Sequence, residues 1–211
     1  MEEQTSGMIL RTRPLTETSL IVQWLTPDLG RIATVAKGAR RPKSPFTGKL
    51  DLFYEGQFSF IRSRKSHLHA LKEVVLTNPH TPLRHSYEAI LQASYFGVLI
   101  EYASEEETPV PELWSAFQQA LAFLEASPRT PALIFGFELT LLRSQGYEPD
   151  LEKVRLSADA KMFMGNSEIN IEQTYPRSIW EEINRHLLAA VATSFERVPP
   201  QRQKALEIFG I

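Results

Sequence analysis

Apolar and polar residues alternate over the first 77 positions and then recur every three or four, so the pattern itself divides the chain. Residues 7–13 form a first extended run that stops at Pro14, and residues 19–26 a second that stops at Pro27-Asp28, a turn pair. Residues 30–37 end at Gly38, residues 52–61 alternate through Phe58 and Phe60, and residues 67–76 make a fifth run. Five short runs rich in β-branched and aromatic residues, joined by turns, predict a small barrel.

Beyond them the period is helical. Tyr87, Ile90, Leu91, Ser94, Tyr95, Val98, Leu99 and Tyr102 share one face, as do Leu113, Phe117, Ala120, Leu121 and Leu124. Residues 133–142 are apolar nearly all round, which marks a helix enclosed by others. Each segment follows a Thr-Pro pair (Thr81-Pro82, Thr108-Pro109, Thr130-Pro131), where Thr caps and Pro loses no bond at the first helical position. Gly146 closes the third helix, and Ser178 with Glu181 has capping-box spacing at the start of a fourth, to about Ala192. Residues 161–171 read as two short strands about Gly165-Asn166. The expected fold is α+β, with a five-stranded barrel over residues 1–79 and a helical domain over 80–211. That domain carries a β-hairpin insert at about 150–176.

At 43% hydrophobic the chain of 211 residues can pack a core, and no stretch of about 18 apolar residues predicts a membrane span. Met1-Glu2-Glu3-Gln4 lacks the layout of a signal peptide. With no cysteine, disulfides and thiolate zinc sites are excluded. These features fit a cytoplasmic location. The net charge of −2 conceals an asymmetry: residues 1–72 hold 12 Lys and Arg against 6 Asp and Glu, net +6, and the rest is net −8. A basic first part fits a polyanionic partner; a chance split on a solvated surface is the alternative.

Gly38 to Ser44 has the outline of a phosphate-binding loop, but Pro42 stands where that motif needs its second glycine, and no helix pattern follows. No nucleophile elbow or His-Glu-x-x-His occurs, so an enzyme is not expected. His67 and His69 would share a strand face, but nearby acids are sparse and exposed histidines on a strand are commonplace, so no metal or other cofactor is expected. Glu105-Glu106-Glu107 reads as a solvated turn before a helix. The connection after the third strand is more informative. Arg40, Arg41, Lys43 and Lys49 flank Ser44, Phe46 and Thr47, with Arg31 and Lys37 on the strand before them. Arg62, Arg64 and Lys65 lie between the fourth and fifth strands, a usual contact loop of an oligonucleotide-binding (OB) barrel. These cations are candidate phosphate contacts. Trp24 and Phe46 are candidate stacking surfaces, with barrel core the alternative for Trp24.

Residues 7–15, 17–22, 26–31, 35–44 and 48–50 with Phe53 resemble the RecO family in order and spacing. The Ala36-Lys37-Gly38-Ala39-Arg40 element with its trailing Lys43-Ser44 is the most specific part. The likeness is general over residues 82–146. Many members carry a four-cysteine zinc ribbon in the helical domain; this chain has none. The resemblance implies a bacterial, nucleoid-associated, non-enzymatic accessory protein of recombinational repair. Such a protein binds single- and double-stranded DNA and anneals complementary strands. With RecR it helps load RecA onto DNA coated by single-strand-binding protein, whose acidic tail it contacts. For that tail, Arg129, Arg143 and Leu142 are candidate anchors, with an ordinary helix-terminal cation the alternative for Arg143. A barrel that binds a protein or oligosaccharide without DNA activity is the competing function.

Overall fold

A computed structural model describes residues 2–126, 130–147, 149–166 and 169–211. Five strands, β1 (Glu2–Pro14), β2 (Leu20–Thr26), β3 (Gly30–Ala36), β4 (Glu55–Ile61) and β5 (Leu68–Asn78), close a barrel in the order β1-β2-β3-β5-β4. Closure depends on the length of β1. Its first half pairs with β4, from Glu2 opposite Ile61 to Met8 opposite Glu55. Its second half pairs with β2, from Met8 opposite Leu25 to Pro14 opposite Leu20, with a bulge between Ile9 and Arg11. Gly7 sits at the crossing, where a Cβ would lie 2.7 Å from the Leu25 carbonyl oxygen, so only glycine lets the strands approach. β3 and β5 run parallel, with Ala33, Thr34 and Val35 opposite Leu68, His69 and Ala70.

Ile9, Val22, Trp24, Ile32, Phe58, Phe60, Leu71 and Val74 are buried together, Phe58 and Phe60 as the alternation marks. Trp24 is fully buried; its ring stacks on Phe58 at 4.0 Å between centroids, and its indole N–H donates to Thr34 Oγ1 at 2.9 Å. The N–H is thereby satisfied, as a buried indole requires.

The chain divides into two compact units, one of Met1–Thr81 with Ser104–Trp114, the other of Pro82–Ala103 with Ser115–Ile211. The second contains α1 (Tyr87–Ala103), α3 (Pro131–Ser144), α4 (Ala158–Gly165), α5 (Arg177–Ser194) and α6 (Pro200–Glu207). Between α1 and α3, α2 (Pro111–Glu125) has its first residues in the barrel unit and the rest in the helical one. The Thr-Pro signal holds at α3, where Thr130 Oγ1 accepts from the Ala132 amide at 3.2 Å. Elsewhere it marks a different start. Thr81-Pro82 opens a 3₁₀ turn (Thr81–His85), and α1 is capped by Ser86, whose Oγ accepts from Ala89 N at 3.2 Å. α2 begins at Pro111 rather than after Thr108-Pro109, and Pro176, not Ser178, precedes α5.

The expected hairpin at 150–176 is corrected to a helix. Ser157 Oγ accepts from Ala160 N at 3.3 Å as the N-cap of α4 and is itself held by Glu182, to which its hydroxyl donates at 2.6 Å. Ala160, Phe163 and Met164 bury one helical face, and Phe163 meets Trp180 edge to face. Gly165 ends the helix; the Gly-Asn pair that resembles a hairpin turn is a helix terminus. α6 is a further element that the sequence pattern did not announce. Its Arg202 is 3% exposed and makes a two-pronged pair with Glu138 of α3, Nε–Oε1 at 2.8 Å and Nη2–Oε2 at 2.9 Å. Tyr95 of α1 donates to the same carboxylate at 2.5 Å, and Asn184 of α5 accepts from Arg202 at 2.7 Å. Burial, with the neighbouring Glu138 charge, drives the Tyr95 hydroxyl well above its ordinary pKa. One polar network therefore ties four helices inside an apolar unit.

Candidate nucleic-acid interface

The connection from β3 to β4 is built from successive turns. The Arg41 amide donates to Gly38 O at 3.0 Å, Ser44 to Arg41 O at 3.1 Å, Thr47 to Ser44 O at 3.2 Å and Lys49 to Phe46 O at 3.0 Å. Phe46, 6% exposed, pins the loop to the barrel core. Arg40 fastens it to the β1–β2 turn: its amide donates to Thr18 O at 3.0 Å and its guanidinium to Thr16 O at 3.2 Å. On this fixed frame Lys37, Arg40, Arg41 and Lys43 are exposed and Lys49 is half-buried. Arg41 and Lys43 form no ion pair among the described residues, so their charge is available to a ligand. Beneath Arg40 and Arg41 lies a cavity of about 430 Å³ lined also by Leu20, Phe46, Leu50 and Tyr54.

The β4–β5 connection carries a second group. Ser63 Oγ accepts from the amides of Lys65 and Ser66, at 3.2 and 3.1 Å, making a tight turn that leaves Arg64 and Lys65 exposed. Parallel pairing of β3 with β5 puts this turn near the start of β3, at the opposite end from Arg40 and Arg41. Seven residues of β3 therefore separate the two groups, roughly 20 Å of strand.

Two of the candidate cations are already engaged. Arg62 donates to both Glu3 carboxylate oxygens, at 2.8 and 2.9 Å, and to Glu107 at 2.5 Å. The Arg62 hydrogen bond holds the Glu3 carboxyl below its ordinary pKa, and Glu3 in turn raises Arg62. Arg31 donates to Ser104 Oγ and Ser104 O, both at 2.8 Å. Glu105-Glu106-Glu107 is exposed, as a solvated turn should be, yet it is not free of partners. It is a strap on the barrel unit, with the Glu107 amide donating to Arg31 O at 2.8 Å and Thr108 closing on Gly30, where a Cβ would lie 1.9 Å from the Thr108 carbonyl oxygen. The Glu107 carboxylate also stands 3.2 Å from His69 Nε2, off line for a hydrogen bond, while Ser63 N donates to His69 Nδ1 at 3.3 Å. A ring that accepts at Nδ1 carries its proton at Nε2 when neutral, facing Glu107. His69 is 1% exposed and His67 mostly exposed, so the two do not share a surface; among the described residues no three acid or histidine side chains group to hold a metal.

The strap also changes the charge of the unit. Residues 1–81 hold 12 Lys and Arg against 7 Asp and Glu, net +5, and the four glutamates of Ser104–Trp114 bring the barrel unit to +1.

Three expectations need correction. Trp24 is barrel core and presents no face to a base, and Phe46 packs against the same core, 6% exposed, so that it is a cavity lining and not an open stacking surface. Leu142 is fully buried in α3. Arg143 does not stand at the mouth of a groove. Its guanidinium donates to the carbonyls of Met164, at 2.7 Å, and Asn166, where α4 ends with orphan acceptors. Arg129 lies outside the described residues.

A closed barrel in this strand order, with basic connections at both ends of β3, is an OB fold joined to a helical unit. The family model "Recombination protein O N terminal" matches residues 1–80 and "Recombination protein O C terminal" residues 84–154. The chain belongs to the RecO family. It is 30% identical over 149 residues to the DNA repair protein RecO of Syntrophus aciditrophicus (strain SB), covering 71% of this chain and 58% of that one. Its identity to the DNA repair protein RecO of Rhodopirellula baltica is 32% over 147 residues, covering 70% and 54%. For the DNA repair protein RecO of Tolumonas auensis it is 34% over 145 residues, covering 68% and 59%. The chain therefore spans less than two thirds of the length of these relatives.

Proposed function

We propose that the chain is a DNA-binding accessory protein of recombinational repair, which works by holding strands rather than by making bonds. The observation that carries this reading is the pinned loop of residues 37–49, which displays Lys37, Arg40, Arg41 and Lys43 on a rigid base. Fixed cations contact phosphates without the entropy cost of ordering a mobile loop. A strand lying along β2–β3 from this loop toward Arg64 and Lys65 would meet both cationic groups. Such a surface lowers repulsion between two phosphate backbones, which is what annealing of complementary strands requires. Action with RecR in loading RecA onto DNA covered by single-strand-binding protein, and contact with the tail of that protein, rest on family membership.

The test is an anisotropy titration of the chain with single-stranded DNA at several salt concentrations. Roughly five phosphate contacts give a slope of log K against log salt of about −3.5. A slope near zero favours the competing reading, a barrel for a neutral peptide or oligosaccharide, and sinks this one.

A further inference from the structure

Resting on that reading, we infer that the cavity under Arg40 and Arg41 is a subsite for one unstacked nucleotide of a single strand, with its base inside and its phosphates on the two arginines. The cavity is about 430 Å³, within the range of about 300–1,000 Å³ typical of small-molecule sites. Its lining combines the apolar and aromatic Leu20, Phe46, Leu50 and Tyr54 with two cations, Arg40 and Arg41, and one acid, Asp51. A flat apolar heterocycle attached to an anion matches that arrangement, because two cations against the single acid Asp51 leave an excess of positive charge that a neutral lipid or sugar would not use.

The cavity is also preformed. Its walls are held by the chain of turn hydrogen bonds from Gly38 to Lys49, by Phe46 in the core, and by the Tyr54 amide donating to Asp51 O at 3.1 Å. Little ordering is needed when a base enters. Arg40 is already oriented by Thr16 O, which neutralises none of its charge. A base paired and stacked in a duplex is not available to enter, so the subsite favours single strands, and the exposed cations alone serve both. Trp24 is fully buried and offers no stacking face, whereas Phe46, 6% exposed, lines this cavity, which is therefore the place near the cationic loop where a base meets apolar side chains.

The experiment uses the full chain and two fluorescent probes of equal length, an oligothymidylate and an abasic deoxyribose-phosphate strand. The parent is expected to bind the oligothymidylate about 5- to 100-fold more tightly, the range that stacking one base contributes. Both probes should show the same salt slope, because both carry the same phosphates. Leu50→Ala, which removes floor, and Ala39→Leu, which fills the cavity, should each erase most of the difference while binding to the abasic strand persists. Melting curves confirm folding, and either variant suffices if the other fails to fold. Equal affinity of the parent for the two probes overturns the subsite and leaves phosphate binding standing, as does a preference that survives a folded, filled cavity. Binding of neither probe overturns the subsite and the DNA-binding reading together.

Discussion

Glu107 accepts a hydrogen bond from Arg62 at 2.5 Å, so a carboxylate from the connection after α1 occupies a cation of the β4–β5 loop, where an OB barrel meets its ligand. The same carboxylate faces His69, and Glu106 stands 3.8 Å from His67. The strap sets negative charge beside a loop proposed to meet phosphates, and it reduces the barrel unit to a net charge of +1.

Neutralising the strap should therefore strengthen DNA binding. In Glu106→Gln/Glu107→Gln, Arg62 keeps its pair with Glu3 but has a neutral amide in place of its second carboxylate, an acceptor that it leaves more readily for a phosphate. If one phosphate contact is added, the slope of log K against log salt steepens by about 0.7. Arg62→Ala should then cost affinity in the strap variant and little in the parent. As a control for bulk charge, Asp150→Asn/Glu152→Gln in the helical unit removes the same charge. Equal gains in the two double variants would show that the strap's position is irrelevant.

The loop of residues 37–49 predicts the reverse change. Arg40→Ala/Arg41→Ala/Lys43→Ala removes up to three phosphate contacts, and the salt slope should flatten by about 2. All three side chains are exposed, the turns are made by backbone amides, and the loop loses only the exposed hydrogen bond from the Arg40 guanidinium to Thr16 O, so melting should shift little. A large drop in melting temperature would mean that the loop is a structural prop. An unchanged slope with unchanged melting would move the interface to Arg64 and Lys65.

His69 predicts a pH dependence of stability. Burial lowers its pKa below the ordinary 6.5; Glu107 and Glu3 oppose that shift, and Arg62 adds to it. The unfolded chain therefore takes up a proton before the folded one does, and stability falls as pH drops through about 6.5 toward the folded-state value. Thermal midpoints measured from pH about 7.5 downward should decline over that interval, and the decline should be shallower in His69→Gln. Equal slopes in parent and variant would assign the loss to His186, whose pKa burial also lowers, since the lowered carboxyl of Glu3 costs stability only at more acid pH.

How far these features are legible in the sequence depends on the range of the interactions that create them. The barrel is, because period-two alternation is local and its phase alone decides which residues face inward. The cationic loop is, because Lys37 to Lys43 are contiguous. Trp24 is not: a Trp on a strand reads alike on either face, and its burial is fixed by Phe58 and Thr34 across the barrel. The α4 helix is hidden because its sequence ends in a Gly-Asn pair that also serves hairpins, and its cap depends on Glu182, 25 residues away. The strap is hidden for a similar reason. Three consecutive glutamates read as solvated, and only the fold sets Glu107 against Arg62, 45 positions earlier. An acidic triplet outside any helical stripe, in a chain whose first part is strongly basic, is the signal that could have raised the question.

The Glu138–Arg202 pair sets the last expectation. Both side chains are almost wholly buried, and the carboxylate also receives the Tyr95 hydroxyl. Removing one partner leaves a charge inside an apolar unit, so Arg202→Met alone or Glu138→Leu alone should cost about 3–5 kcal/mol in denaturant unfolding. The double variant Glu138→Leu/Arg202→Met removes both charges, and its cost should be well below the sum of the two, since an apolar replacement of similar volume avoids the desolvation penalty. Tyr95 and Asn184 would lose partners in that variant, so some loss should remain, recoverable by Tyr95→Phe. Additive costs in the cycle would mean that the two side chains stabilise the helices through packing alone. DNA affinity of the folded variants at fixed salt should equal that of the parent, because neither residue belongs to the barrel unit.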